Sequence, residues 1–457
     1  MNWVRWIIQV FIINAFSLTA LAQMPMLISE SEGALSNVSL QAEDEEEHPK
    51  YVSPYYYPIF NPLISTITTV AISPSKKPLY KAISFELYPE RSQIPNYGRY
   101  NRIKLAFFKN YKNANAPMIF LIPGIGGYAL YPNTIYLAEV LYRAGFHVVT
   151  LPATLSWQFA LSVSQSGYPG YSPRDAADML SFMIKVDQHL RKEENINPSR
   201  YGLMGYSLGA LDSGFVANLD LDKKYFNFDR VLMVNPPLQK AASVRSLDGL
   251  LLDDQRDSTQ ARAFDIMENS KRFFEFGRHS LESLIKFDFN RPIGLVDAQM
   301  SRIIGASFRQ ALGDVIVVSQ EIYDLGILPT SRDGRYAQGI RKAEALMFSF
   351  RDYLDKVLLR EITHRRTLGI DFDDANELLE TTDLRKVISN FNEQHRRWAI
   401  FHNQNDFIFH DGDLQYLMKS KSASRVYPLG GHLGNLWYKR NQRDILRYFE
   451  PMKTSPH

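Results

Sequence analysis

A five-residue stretch with glycine at both ends, GYSLG, surrounds Ser207. It follows one apolar run and precedes another, which is the setting of a sharp strand-to-helix turn that exposes a serine hydroxyl. Gly205 and Gly209 remove the Cβ atoms that would collide with the strand and the helix in such a turn. The helix that starts after the turn would favour negative charge at the hydroxyl. We therefore predict that Ser207 is a nucleophile, the alternative being an ordinary helix-capping serine.

A serine nucleophile needs a base, and three histidines in the C-terminal quarter are candidates. His432 lies in PLGGHLG, just after the last predicted strand, where the glycines allow a loop that aims the ring. A neutral imidazole there takes the serine proton and returns it to the leaving group. His402 is expected within or at the end of a strand, and His410 at the start of a helix. The position of His432 in a loop just after the last predicted strand favours it as the base.

The base in turn needs a carboxylate to orient it. Asp406 follows the penultimate predicted strand. The chain order Ser207, Asp406, His432 is the one required by the fold in which such a serine turn occurs. Asp411 and Asp413 stand at the start of the next predicted helix, where carboxylates offset the helix dipole. We therefore predict Asp406 as the orienting group.

A glycine-rich loop, PGIGG at 123–127, follows the apolar strand predicted at 118–122. Glycines there let the backbone approach a substrate carbonyl oxygen and donate to it. The first donor is the N–H of Ile125 or Gly126, and the second is the N–H of Leu208. A phosphate-binding loop is a poor alternative because the spacing G-x-G-x-x-G and a following Lys-Ser/Thr are absent. A purely structural turn stays open.

The elements that must position these residues alternate between short apolar strands and amphipathic helices. This alternation predicts an α/β fold with a mainly parallel, doubly wound sheet. It is interrupted at 238–394, where helical patterns occur without convincing strands. We therefore expect a sheet domain in two halves, 81–237 and 395–457, with a mostly helical cap insertion between them. Strands are predicted at 82–88, 102–108, 118–122, 146–151, 200–206, 230–234, 398–402 and 425–429.

At the GYSLG turn, at Asp406 and His432, and at the glycine-rich loop, the chain resembles the α/β-hydrolase superfamily. The resemblance covers 81–237 and 395–457, and the insertion occupies the usual place of that superfamily's cap. It implies hydrolysis of an acyl ester, of the carboxylesterase or lipase type, through an acyl-enzyme. The superfamily also includes thioesterases, peptidases, acyltransferases and non-catalytic binding proteins. The loop has Pro123-Gly124 where many lipases have His-Gly, so the resemblance assigns no subfamily.

Composition excludes several other classes of protein. Of 457 residues, 45% are hydrophobic and 22% charged, which excludes global disorder and a fibrous chain. Lys and Arg number 52 against 49 Asp and Glu, so the net charge of +3 argues against a nucleic-acid partner. Cysteine is absent, which excludes disulfides, a cysteine-ligated metal and a thiol nucleophile. We expect no cofactor or metal, and a small-molecule or lipid-like acyl ester as substrate.

The N-terminus has the form of a secretory signal peptide over 1–22. Arg5 precedes an apolar stretch at 6–18, and Ala-Leu-Ala at 20–22 fits a cleavage site. An uncleaved anchor is the alternative, although polar residues and Pro25 weaken a spanning helix. We therefore expect an exported protein, periplasmic or secreted, with no stable transmembrane segment in the mature chain. Residues 23–80 are expected to form a flexible leader and an extended arm.

A phenylalanine-rich segment at 270–291 lies within the predicted insertion. It could form a lid helix that grips acyl chains or touches a membrane surface. Packing of its aromatic face on the sheet domain is the favoured interpretation, since apolar stripes on helices most often face a core.

Overall fold

The computed structural model describes most of the chain after the predicted leader. The predicted signal peptide and the leader up to residue 49 lie outside the described residues, as do Phe287 and Phe289 of the phenylalanine-rich segment. The described residues are 50–251, 259–279, 281–286, 293–324, 326–333, 336–365, 372–389 and 397–454.

Eight strands of the described chain form one sheet in the order β1-β2-β4-β3-β5-β6-β7-β8. Strand β2 is antiparallel to both of its neighbours, and the pairs from β4 to β8 are parallel. The predicted α/β class with a mainly parallel sheet is confirmed. The strands are Lys81–Phe85 (β1), Ile103–Phe108 (β2), Met118–Ile122 (β3), His147–Thr150 (β4), Tyr201–Tyr206 (β5), Arg230–Val234 (β6), Trp398–Asn403 (β7) and Arg425–Tyr427 (β8).

Helices cover both faces of the sheet, as expected for a doubly wound fold. Alternate residues of β3 face opposite sides of the sheet. Phe120 packs in the hydrophobic core on one side, and Ile119 and Leu121 pack in the core on the other side. The helices around the sheet are Pro62–Ile67 (α1), Pro132–Arg143 (α2), Trp157–Ser162 (α3), Ser172–Glu194 (α4) and Leu208–Lys223 (α5).

Among its described residues, the segment between β6 and β7 has helices joined by turns and loops, and no strand. Its long central helix packs against the first two helices after β6 and against α3. Phe273 and Phe276 pack against the main core, whereas Phe274 is 48% exposed. The helices here are Lys240–Leu250 (α6), Thr259–Glu275 (α7), Leu281–Lys286 (α8), Ile293–Tyr323 (α9), Ala337–Leu346 (α10), Phe350–Tyr353 (α11), Arg360–Arg365 (α12), Ala375–Glu380 (α13) and Leu384–Ser389 (α14).

Two further helices, Asp413–Lys419 (α15) and Lys439–Phe449 (α16), complete the C-terminal part. The register of the parallel strands aligns the ends that carry the predicted site. Ile122 at the end of β3 pairs with Gly205 in β5, and Val234 at the end of β6 pairs with both Tyr206 and Phe401. The loops that follow these strands therefore meet at one edge of the sheet, where ligands bind in open α/β sheets.

Candidate active site

Ser207 occupies a strained turn between β5 and α5. Its backbone has φ 56° and ψ −128°, a combination that costs a non-glycine residue roughly 1–3 kcal/mol. A Cβ at Gly205 would overlap the carbonyl oxygen of Gly209, and a Cβ at Gly209 would overlap that of Ile122. Glycine at both positions therefore permits the turn that holds the serine at the sheet edge.

The three predicted side chains meet in one chain of hydrogen bonds. His432 Nε2 lies 2.8 Å from Ser207 Oγ, and His432 Nδ1 lies 2.9 Å from Asp406 Oδ2. A carboxylate only accepts, so Nδ1 carries the proton and Nε2 accepts the serine hydroxyl. All three residues are buried, with 4–6% of their surface exposed. The serine hydroxyl thus faces a ring nitrogen that can take its proton.

Asp406 is held in its charged form by its neighbours. Burial alone would raise the pKa of Asp406, but the His432 and His402 rings and the N–H of Ile408 together hold that pKa below its usual value. Ile408 N donates to Oδ1 at 3.1 Å, and Asn235 Nδ2 donates to Oδ2 at 2.7 Å. The carboxylate therefore stays ionised beside the imidazole.

Asn235 is a site residue that the sequence analysis missed. It follows β6 directly, and its backbone has φ 48°, a left-handed conformation that asparagine tolerates better than most residues. The Asn-Pro-Pro sequence at 235–237 was a signal for an abrupt turn at this strand end. It gave no indication that the amide would reach Asp406.

Two of the competing residues, His402 and Asp413, have other partners. His402 is fully buried, with Nε2 3.0 Å from the carbonyl oxygen of Pro236, and burial lowers its pKa. Burial likewise lowers the pKa of His410. Asp413, the first residue of α15, accepts from the backbone N–H of His410 at 2.9 Å. None of these contacts is with Ser207.

In the loop after β3, the two candidate oxyanion donors differ in their hydrogen bonding. Gly126 N donates to the carbonyl oxygen of Leu155 at 3.0 Å, so this N–H is engaged. The N–H groups of Ile125 and Leu208 have no acceptor among the described residues, and both residues line the same cavity as Ser207. A Cβ at Gly124 would lie 2.7 Å from Ser207 Cβ. The sequence left either Ile125 or Gly126 as the first oxyanion donor. Of these two, only Ile125 has an N–H that is available to a substrate oxygen.

The N-terminal arm holds the histidine loop, which the sequence analysis also missed. Thr66 in α1 donates its hydroxyl to the carbonyl oxygen of Pro62 at 2.7 Å and accepts from the backbone N–H of His432 at 2.9 Å. Ser65 Oγ donates to the carbonyl oxygen of Gly430 at 2.7 Å. A Cβ at Gly431 would overlap the backbone of Pro62. The glycines around His432 were the only sequence signal of this close approach.

The serine and the histidine open into a cavity of about 60 Å³. Much of its wall is apolar, with contributions from the core sheet domain and from the helices after β6. These apolar residues are Leu155, Val244, Leu247, Phe308, Phe350, Leu354 and Ile408. The part of the chain that the structure describes contains no group of three His, Asp or Glu side chains that could hold a metal ion. No described helix has both the length and the apolar character to cross a bilayer.

No protein-family model matches the sequence, and no curated protein matches it. Solved structures with similarity include an esterase from Pyrobaculum calidifontis, with TM-score 0.39 and 10% identity over 86% of this chain and 90% of that one. A carboxyl esterase from Bacillus coagulans gives TM-score 0.38 and 9% identity, covering 82% and 99%. The thioesterase domain from the curacin biosynthetic pathway gives 0.35 and 13%, covering 80% and 99%.

The fold is identified by features of this chain itself. The eight-stranded order has a single antiparallel strand, β2, near one edge. A glycine-flanked serine in a strained turn joins β5 to α5 at the sheet edge. Together, these features give the chain the fold of the α/β-hydrolase superfamily.

Proposed function

We propose that the chain is a serine hydrolase that cleaves an acyl ester through an acyl-enzyme. The observation that carries this proposal is the unbroken series of hydrogen bonds from Ser207 through His432 to Asp406. Ser207 itself lies in a strained turn. The N–H groups of Ile125 and Leu208, which line the same cavity, have no acceptor among the described residues. Nucleophile, base, orienting carboxylate and anion-binding donors are the parts that acyl transfer needs.

In the first half-reaction, Ser207 Oγ attacks the ester carbonyl carbon while its proton passes to His432 Nε2. The carbonyl π electrons move to the oxygen, which accepts from the N–H groups of Ile125 and Leu208. Asp406 stabilises the imidazolium through Nδ1–H. When the tetrahedral intermediate collapses, the alkoxide takes the proton from Nε2 and leaves as an alcohol. Ser207 then carries the acyl group.

In the second half-reaction, a water molecule attacks the acyl carbon and gives its proton to His432 Nε2. The same two amides hold the oxyanion, and the bond from the acyl carbon to Ser207 Oγ breaks as the oxygen regains the proton from Nε2. The products are a carboxylic acid and the free enzyme. Every step uses groups of this chain and water, and the reaction consumes no cofactor.

The test is a Ser207→Ala variant assayed on a p-nitrophenyl ester, beside labelling of the wild type by a fluorophosphonate. We expect kcat to fall by roughly 10⁴-fold or more and the label to be found on Ser207. Ser162→Ala is the matched control, since Ser162 is buried in α3 and does not line the cavity. Retained turnover by Ser207→Ala would exclude this mechanism.

Three other functions fit the same site less directly: two are catalytic, and one is binding without catalysis. Acyl transfer would follow if an acceptor alcohol replaced water at the acyl-enzyme, and product partitioning with added alcohols detects it. A thioesterase would prefer a thioester over the matched oxygen ester. A non-catalytic binding protein has no need of a base aligned with a serine, and it would leave Ser207 unlabelled by the fluorophosphonate.

We also propose that the protein is exported, on the pattern of residues 1–22 alone. Cleavage after Ala22 would make Gln23 the first residue of the mature protein. Mass spectrometry of the protein from the native cells, fractionated into cytoplasm, envelope and medium, tests both the cleavage and the location.

A further inference from the structure

Charged and polar side chains line part of the cavity that contains Ser207. They come from the loop after β4, from the start of α4 and from α6, so three separate segments place polar groups in one wall. We call this set the polar wall; its members are Thr154, Ser172, Asp175, Lys240 and Ser243. The mechanism proposed above uses none of them.

Lys240 is buried in the polar wall and forms no ion pair with any described residue. Its Nζ donates to the carbonyl oxygen of Gly170 at 2.9 Å and to Ser172 Oγ at 2.8 Å. An ammonium group has three N–H donors, and the third has no acceptor in the described part of the chain. Lys240 is 9% exposed. A buried cation with an unused donor is costly unless a further acceptor arrives.

Two atoms of the polar wall lack a partner of their own. Asp175 Oδ2 accepts from the N–H of Gly170 at 2.6 Å, but its Oδ1 has no hydrogen-bond partner within the described residues. The hydroxyl of Ser243 has none either. Asp175 is 1% exposed and Ser243 is 3% exposed. Leaving such atoms unpaired is costly, and a bound polar group would recover that cost.

A second carboxyl group, that of Asp212, lies next to the polar wall. Asp212 in α5 accepts the hydroxyl of Thr154 at 2.5 Å through Oδ2, and its Oδ1 is unpaired within the described residues. Burial raises the pKa of both Asp175 and Asp212 to about 7, against the opposing effect of Lys240. Burial lowers the pKa of Lys240, and Arg174 beside Asp175 is a further basic group. The region therefore combines two basic groups with two carboxyl groups, rather than a field of a single sign.

The presence of both basic and carboxyl groups determines which chemical group can bind here. A carboxylate would meet the charges of Asp175 and Asp212, and an ammonium would meet Lys240. A plain methylene would leave the donor of Lys240 and the Oδ1 acceptor unpaired. A hydroxyl is neutral, accepts from an ammonium and donates to a carboxylate.

We propose that the cavity binds an acyl group that carries a hydroxyl, which accepts from Lys240 and donates to Asp175 or Ser243. This proposal rests on the proposed esterase function and names its substrate class. A cavity of about 60 Å³ holds about four to six atoms the size of a water oxygen. The hydroxyl is therefore expected on one of carbons 3 to 6 of the acyl chain.

The test compares methyl hexanoate with its 3-, 4-, 5- and 6-hydroxy derivatives, followed by titration of the acid released. We expect kcat/KM for at least one hydroxy ester to exceed that of methyl hexanoate by about tenfold or more. The 6-amino ester and the monomethyl ester of the dicarboxylic acid of the same length should not exceed methyl hexanoate. Equal kcat/KM for all hydroxy esters and the plain ester would overturn the proposal.

Variants locate the preference in the polar wall. In Ser243→Ala and Asp175→Asn, the ratio of kcat/KM for the best hydroxy ester to that for methyl hexanoate should fall by about threefold to tenfold. Ser162→Ala is the control, because its hydroxyl is also buried and unpartnered within the described residues but does not line the cavity. An unchanged ratio in both variants would contradict the assignment.

Failure of this proposal is distinguishable from failure of the esterase function. If methyl hexanoate is hydrolysed and the fluorophosphonate labels Ser207, but no hydroxy ester is preferred, the polar wall has no such role while the esterase stands. A preference for the amino or dicarboxylic ester would replace the hydroxyl by that other group. If none of the esters is hydrolysed and Ser207 is not labelled, both proposals fall.

Discussion

Asn235 donates a hydrogen bond of 2.7 Å to Asp406 Oδ2, the same oxygen that accepts from His432 Nδ1. The amide therefore fixes the carboxylate at the atom that orients the base. The two residues follow neighbouring strands, β6 and β7, so the parallel register of the sheet sets their separation.

The first prediction concerns this amide. Asn235→Gly keeps the left-handed backbone possible but removes the hydrogen bond, so we expect kcat/KM to fall by roughly tenfold, mainly through kcat. Steady-state kinetics on a short-chain ester measure the effect. Asn227→Gly is the control, since Asn227 has a similar φ of 45° and its side chain accepts from Arg397 rather than from a site residue. Equal effects of the two substitutions would show that backbone conformation, not the amide, matters.

The second prediction concerns the arm that holds the histidine loop. Thr66→Val removes the acceptor for the His432 N–H, so we expect kcat/KM and the rate of fluorophosphonate labelling to fall together by roughly tenfold. Thr66→Ser keeps the hydroxyl and should restore both. Thr69→Val is the control, because Thr69 is buried in the same arm but donates to the Thr66 carbonyl. Loss of activity in Thr66→Ser as well would argue for packing rather than hydrogen bonding.

The third prediction is a pH dependence of stability that comes from Asp212. Its pKa is about 7 in the folded chain, raised by burial, against about 3.9 when unfolded. Between these values the folded state holds a proton that the unfolded state has lost, so this group's contribution falls as the pH rises from about 4 to 7. Asp212→Asn should therefore raise Tm more at pH 8 than at pH 5. Thermal unfolding at both pH values measures it, and an equal change at the two would refute the assignment.

The fourth prediction concerns acyl-chain length. A cavity of about 60 Å³ accommodates about four to six heavy atoms, so kcat/KM should be highest for acyl chains of about that length and fall for chains of twelve carbons. Leu247→Ala removes part of the apolar wall and should shift the preference towards longer chains. A p-nitrophenyl ester series measures both. A wild-type maximum at the longest chain would show that the cavity opens further than it does here.

The positions of the site residues followed from the sequence because each stands where a parallel strand ends. Ser207 follows β5 directly, Asp406 lies three residues after β7, and both strands contain the apolar runs that a buried sheet requires, although β7 ends in His402 and Asn403. Such runs mark the strands, and the strand ends then mark the edge where the side chains meet. Strand β6 was predicted at 230–234 and is observed there.

What the sequence analysis missed depends on contacts between distant segments. The N–H of Gly126 is excluded as an oxyanion donor only because the Leu155 carbonyl reaches it. The last helix starts at Lys439, and Asn435 lies before it. The Asn435 amide donates to Asn403 in β7 at 2.6 Å, which keeps that part of the chain in the histidine loop. Neither contact leaves a local pattern.

The hydrogen bond between Thr66 and His432 joins positions 366 residues apart. The anchor of the base therefore exists only after the final strand and its loop have folded back onto the beginning of the domain. A chain still emerging from the ribosome, or one passing unfolded through a membrane, carries its serine without an aligned partner. Under the proposed function, the alignment of Ser207 with its base is a late product of folding, which would spare acyl esters inside the cell that makes the protein.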